Sequence, residues 1–221
     1  SGSEWQRTVG KAREEAREFA RGLIKLYAQR KKVQRRPFGP DTPWQAEMEA
    51  TFPWVETPSQ MTAIREAKSD RNLEWPMDRL ICGDVGFGKT EVAIRAAFKV
   101  AQENRQVAVL CPTTILSEQH FRNFQERLAP FPVRLELLNR FRSTAERREI
   151  LEACKSGDID ILIGTHALLA KEIEFHDLGM VVVDEEQKFG VKQKEALKEM
   201  RVSVDVLTLS ATPIPRTLSM A

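Results

Sequence analysis

The run Gly83-Asp84-Val85-Gly86-Phe87-Gly88-Lys89-Thr90 fills every specified position of the pattern G-x-x-x-x-G-K-[ST]. Such a run works only where a strand ends and a helix begins, so it commits the surrounding chain to an alternating β/α fold. Its flanks agree. Leu80-Ile81 leads in as an apolar strand end, and Glu91 to Phe98 follows at helical spacing. Loop N–H groups and the positive end of the helix can then wrap phosphates, and glycines let the backbone approach them closely. In that arrangement Lys89 reaches the β- and γ-phosphates of a nucleoside triphosphate, and Thr90 holds a bridging Mg²⁺.

Strand and helix patterns alternate on both sides of the loop. Strands are predicted at Asp78 to Cys82, Gln106 to Cys111, Val133 to Leu138, Ile159 to Ile163, Met180 to Val183 and Asp205 to Leu209. Alternation of this kind builds a mostly parallel sheet with helices on both faces, and ligands of such sheets sit at the strands' carboxyl ends. Asp184-Glu185-Glu186-Gln187 emerges at one such end, directly after Met180-Val181-Val182-Val183. There Asp184 can bind Mg²⁺ through its water shell, and Glu185 can orient and deprotonate the attacking water. Thr57-Pro58-Ser59-Gln60 opens the helix before the first strand; Gln60 can read an adenine edge, and Ser59 is the expected N-cap. The chain contains no Asn-Lys-x-Asp string for reading guanine, which tilts the nucleotide towards ATP.

With 221 residues and 42% hydrophobic content, the chain can bury a full core. A formal charge of only +2 leaves nucleic-acid binding to local clusters. No apolar run approaches the roughly 20 residues of a membrane span, so no membrane partner and an intracellular setting are expected. The three cysteines lack metal-ligand spacing and read as reduced core thiols. Ser1-Gly2-Ser3 reads as a cloning remnant, and the stop at Ala221 suggests a cut from something longer.

From about Trp5 to Arg30, the residues Val9, Ala12, Ala16, Phe19, Leu23, Leu26 and Tyr27 predict a long amphipathic helix. Its basic end (Arg30, Lys31, Lys32, Arg35, Arg36) reads either as a contact to DNA or a partner, or as a solvated helix terminus. A short helix is expected from Trp44 to Phe52. Ser143-Thr144-Ala145-Glu146 is a capping box. His120 and His176 fall on expected surface.

In order, TPSQ, GDVGFGKT, PTT, GTH, DEEQ and SATPIPRT resemble the first motor lobe of superfamily 2 helicases and translocases. A closer resemblance, over nearly the whole chain, is to the bacterial transcription-repair coupling factor family. MDRLICGDVGFGKTEVAIRAAF, NRFRS, ILIGTHALL, VVVDEEQKFGV and TLSATPIPRTLSMA carry it. The resemblance implies a RecA-like lobe over residues 51–221, behind a linker over residues 1–50. It also implies an ATP-driven, cytoplasmic motor on double-stranded DNA that pushes stalled RNA polymerase and helps recruit excision repair proteins. The polymerase would bind through a module upstream. A second motor lobe would supply an arginine finger worth on the order of 10³ to 10⁵ in rate, so this stretch alone should hydrolyse ATP very slowly.

Carried over residue by residue, Pro112, Thr113, Thr114, Gly164, Thr165 and His166 would touch the DNA phosphate backbone, helped by Arg140 and Arg142. Helix capping equally accounts for the three threonines, and a core hydrogen bond for His166. Ser210, Thr212 and Gln187 would link the state of the γ-phosphate to lobe movement; a turn before Pro213 is the competing account of the first two. Lys188 stands where that family commonly has Arg, which loses the planar fork. The replication-fork reversal helicase shares the layout, but Phe87, Glu186 and the linker helix favour the coupling factor. A scaffold that only docks other domains is the non-enzymatic alternative, and it has no physical need of Lys89, Thr90, Asp184 and Glu185 together.

Overall fold

The computed structural model describes residues 10, 13–14, 17, 20–22, 24–35 and 37–211. Those described between 10 and 30 are helical; Val9, Ala12, Ala16, Phe19 and Leu23 of the expected stripe lie outside the described residues. Two helices follow that N-terminal stretch, α1 (Pro43–Ala50) and α2 (Pro58–Asp70). Then β1 (Asp78–Cys82), α3 (Lys89–Gln102), β2 (Gln106–Leu110), α4 (Thr114–Leu128), β3 (Leu135–Leu138), α5 (Thr144–Ser156) and β4 (Ile161–Gly164) alternate. A 3₁₀ turn at His166–Leu169 leads to β5 (Leu178–Asp184), and a second at Glu186–Lys188 leads to α6 (Val191–Met200) and β6 (Asp205–Ser210).

All six strands pair in parallel, in the order β1-β6-β5-β2-β4-β3. Successive side chains point to opposite faces, so each strand feeds two cores. Val107, Val109, Val182, Leu207 and Leu209 pack with α1, α2, α3 and α4 on one face. Ala108, Leu110, Val181, Val183 and Val206 pack with α5 and α6 on the other. With both faces covered, the four central strands read as largely apolar runs, whereas the edges β1 and β3 mix apolar and charged residues.

The helix that follows the phosphate-binding pattern is buried on nearly all sides, Glu91 through Ala101 included. Its buried charges are therefore paired. Glu91 accepts from Arg95 Nε at 2.8 Å and from Arg127 Nε and Nη2 at 3.0 and 2.8 Å, while Arg95 also reaches Glu56 at 2.7 Å. This network ties α3 to α4 and to the loop before α2.

Three expectations need correction. Ser59 is not the N-cap of its helix: Thr57 is, with its hydroxyl accepting from Gln60 N at 3.2 Å and Gln60 Oε1 accepting from Thr57 N at 2.7 Å. Proline has no N–H needing an acceptor, so it fits the first helical position, and the helix starts one residue after Thr57. Cys82 is exposed, whereas Cys111 and Cys154 are buried. It ends the edge strand, where Ile81 turns into the core and its two neighbours turn out. The basic end of the N-terminal helix divides: Lys31 and Lys32 are exposed, as a solvated terminus would have them, but Arg30 and Arg35 are not. Arg30 is buried and donates to Pro76 O, Met77 O and Val204 O, and Arg35 pairs with the buried Asp205 at 3.3 Å. Those two arginines fasten the segment to the foot of β1 and β6. Arg36 lies outside the described residues.

Candidate functional site

Strand order decides which motifs meet. With β6 between β1 and β5, Cys82 stands beside Ser210 and Asp184 beside Leu209 at the carboxyl edge of the sheet. The phosphate-binding loop, the acidic strand end and the end of β6 at Ser210 are thereby neighbours. Gly83 N donates to Ser210 O at 3.1 Å, and Glu185 N to Leu209 O at 2.9 Å.

The loop itself is shaped for close backbone approach. Gly86 and Gly88 take φ of 86° and 68°, and a Cβ on Gly88 would fall 2.3 Å from Gln60 Nε2. Glycine takes both left-handed positions without strain, and at Gly88 any side chain would also have to displace the Gln60 amide. Gly88 caps α3 without a side-chain hydrogen bond, so the first N–H groups of a 14-residue helix are left for an anion. Lys89 folds onto the loop, its ammonium donating to Gly83 O and, at 2.8 Å, to Asp84 O. Val85 and Phe87 stand exposed on the loop.

Two clefts adjoin there. A cleft of about 430 Å³ holds Lys89, Thr90, Asp184 and Glu185 on one wall and Gln119, His120 and Asn123 of α4 on the other. A second, of about 740 Å³, shares Gly86, Gly88, Thr90 and Asn123 and runs out over Phe52, Trp54, Val55 and Gln60. A triphosphate fits the first, and an aromatic base fits the largely apolar second. The guanidiniums of Arg95 and Arg127 lie 5.3 and 5.4 Å from the Phe52 ring centroid, bracing that wall. Gln60 faces this junction with its amide engaged at both ends, donating to Phe87 O at 2.8 Å and accepting from Thr57 N. Its present work is to hold the loop against α2.

Among the described residues no cluster of three His, Cys, Asp or Glu side chains could hold a metal alone. Mg²⁺ needs none, since it commonly binds one or two carboxylates together with substrate phosphates, and the Asp184 and Thr90 pair is a donor set of that kind. Asp184 is buried, and His120 Nε2 lies 2.9 Å from its Oδ2. His120 is therefore not surface, contrary to expectation. It sits four and eight residues before the buried Phe124 and Leu128, a spacing that could have marked it. Arg127, seven residues on along the same helix, was likewise missed.

Glu185 adopts φ 49° and ψ 51°, a left-handed conformation that costs a non-glycine residue about 1–2 kcal/mol. Its oxygens are held: Oε1 accepts from Ala211 N at 2.8 Å and Oε2 from Gln187 Nε2. Gln187 and Ala211 thus touch the same carboxylate; Thr212 lies outside the described residues. Glu186 pairs with Arg201.

The other half of the edge gathers the hydroxyls. Leu110 stands beside Gly164, so Pro112, Thr113, Thr114, Thr165 and His166 line one groove of about 480 Å³ with Arg140 and Arg147. Thr113 Oγ1 caps α4, accepting from Leu116 N at 3.2 Å, and His166 is exposed, outside the core. Gly164 lies beneath, where a Cβ would come 2.5 Å from Leu138 O. Arg142 does not join the groove. Its Nε donates to Leu137 O at 2.9 Å and its Nη1 to Glu146 at 3.1 Å.

A family model described as DEAD/DEAH box helicase matches residues 57–221. The chain belongs to the DEAD/DEAH box helicase family. Over 220 residues, all of this chain, it is 54% identical to the transcription-repair-coupling factor of Mycobacterium tuberculosis (strain CDC 1551 / Oshkosh), covering 18% of that protein. It is 51% identical to the factor of the same name from Bacillus subtilis (strain 168), covering 19% of it. The chain thus spans about a fifth of the length of these helicase-family relatives. Among solved structures, RecG bound to a three-way DNA junction matches 89% of this chain and 26% of that chain, with a TM-score of 0.78 and 35% identity. The helicase MrfA, at a TM-score of 0.60 and 16% identity, shares the fold.

Proposed function

We propose that this chain is the first motor lobe of an ATP-dependent translocase on double-stranded DNA, of the transcription-repair-coupling type. The observation that carries the reading is the convergence of Lys89, Thr90, Asp184 and Glu185 on one cleft, next to a separate hydroxyl-lined groove. In this reading ATP lies with its phosphates on the Gly83 to Thr90 loop and its base over Phe52 and Gln60. Thr90 and Asp184 would hold Mg²⁺, which supplies charge neutralisation at the β- and γ-phosphates.

Lys89 neutralises phosphate charge, and Glu185 takes the proton of the attacking water. Ala211 N and Gln187 hold that carboxylate, so movement of the Ser210-Ala211 backbone or of Gln187 alters its aim. Pro112, Thr113, Thr114, Arg140, Thr165 and His166 contact backbone phosphates, which suits binding at any sequence. Residues 1–50 act as the linker and 51–221 as the lobe. In a full-length, cytoplasmic bacterial protein, a second lobe completes the nucleotide cleft, while other modules engage RNA polymerase and excision repair proteins.

The likeness to RecG at 35% identity supports a fork-remodelling motor as the second reading, and the 54% identity to coupling factors favours the first. A nucleotide titration of the chain against Lys89→Ala tests the loop, and equal affinities refute it. In the full-length protein, Glu185→Gln should abolish both ATPase activity and displacement of stalled polymerase. Fork regression without polymerase displacement by the parent would favour the second reading.

A further inference from the structure

Helix α4 lines the hydroxyl groove and both clefts. Its N-terminus, capped by Thr113, stands in the hydroxyl groove. About 10 Å along, at the 1.5 Å rise of an α-helix, His120 meets the Asp184 carboxylate. One turn further Asn123 lies between the two clefts, and Arg127 then grips Glu91 of the helix that carries Lys89. His120 is 6% exposed, and its Nδ1 is buried without a hydrogen-bond partner, so the contact to Asp184 is the ring's one polar engagement there. An ionised carboxylate can only accept, so Nε2 carries the proton and donates.

We propose that His120 is a positioning residue for Asp184, and that α4 is the rod through which duplex DNA in the groove reaches the Mg²⁺-holding carboxylate. The inference rests on the reading of Asp184 as a Mg²⁺ ligand. A donor behind a ligating carboxylate fixes which oxygen faces the metal, and removing such outer partners typically costs 10- to 100-fold in metal affinity or activity. Phosphates settling against Thr113 and Thr114 load one end of the helix. A helix packed along its length moves as a unit, so His120 moves with that end and re-aims Asp184.

The test is the Mg²⁺ dependence of nucleotide affinity, by titration, and of ATPase activity in the full-length protein, with and without duplex DNA, for the parent, His120→Gln and His120→Asn. The Gln amide nitrogen reaches the place of Nε2, whereas the shorter Asn amide does not. The expected result is that DNA lowers the half-maximal Mg²⁺ concentration in the parent and in His120→Gln. In His120→Asn that concentration should rise about tenfold or more and no longer respond to DNA.

Parent-like behaviour in both variants, equal loss in both, or no effect of DNA on the parent's Mg²⁺ requirement would overturn the proposal. Unfolding of both variants, seen by circular dichroism, would also overturn it by making His120 a packing residue. Lys89→Ala is the control for the underlying reading. If that variant keeps parental nucleotide affinity, the nucleotide site itself is wrong, whatever the His120 variants do.

Discussion

Replacing Glu91 by Gln removes the charge that holds two arginines together inside the lobe. Glu91 is 6% exposed and receives three hydrogen bonds, one from Arg95 and two from Arg127. Breaking a buried ion pair from one side costs about 3–5 kcal/mol, because the remaining charge stays buried. Here each arginine keeps other partners: Arg95 has Glu56, and Arg127 has Met48 O at 3.0 Å and Thr51 Oγ1 at 2.9 Å. The loss should therefore fall near the lower figure, about 3 kcal/mol, which for a chain of this size lowers Tm by roughly 6–12 °C. Urea denaturation should show a lower midpoint at unchanged slope. A double-mutant cycle with Arg127→Gln should return a coupling of at least about 1 kcal/mol. A variant within 1 kcal/mol of the parent, or a cycle that closes to zero, would refute the claim that this network joins α3 to α4.

In the native protein at neutral pH, a thiol reagent should label Cys82 alone among the three cysteines; Cys154, pushed up to about 11 by burial, and Cys111, pushed higher still, should react only after unfolding. Burial raises the pKa of Asp205, so the folded state holds its proton more tightly than the unfolded chain does. Its contribution is thus greatest at and below the ordinary carboxylate range near 4 and declines as pH rises towards its shifted value, and the stability difference between the parent and Asp205→Asn should change in that direction in denaturation series. For duplex DNA, Arg140→Ala should weaken binding and reduce the salt slope by about one, while Arg142→Ala, tied to Leu137 O and Glu146, should leave the slope unchanged; fluorescence anisotropy across a salt series measures both.

The centre of the sheet was legible because its strands are largely apolar runs, yet strand ends moved where local chemistry intervened. β3 starts at Leu135 because Val133 N is spent on Phe131 O at 2.8 Å, and β4 at Ile161 because Ile159 N closes the end of α5 on Ala153 O. The loop and the acidic strand end were legible because glycines, a lysine and carboxylates advertise their chemistry by residue type. Arg30 and Arg35 were not legible, since the partners of Arg30 are backbone carbonyls up to 174 positions away, which any residue supplies. His120 was hidden for a related reason: its partner is a residue already given another role, and only the strand order β5-β2 brings α4 over it.

Glu185 has a consequence for engineering this lobe. Its left-handed backbone lies on the only such non-glycine site besides Asn104 among the described residues, and glycine would release about 1 kcal/mol there. That release is offset by the hydrogen bonds forfeited from Ala211 N and Gln187, so a library sorted for heat resistance alone would do little to retain Glu185. It would pass lobes that have lost their proposed base. At this position durability does not guard chemistry, so a sort for stability needs a second screen for turnover.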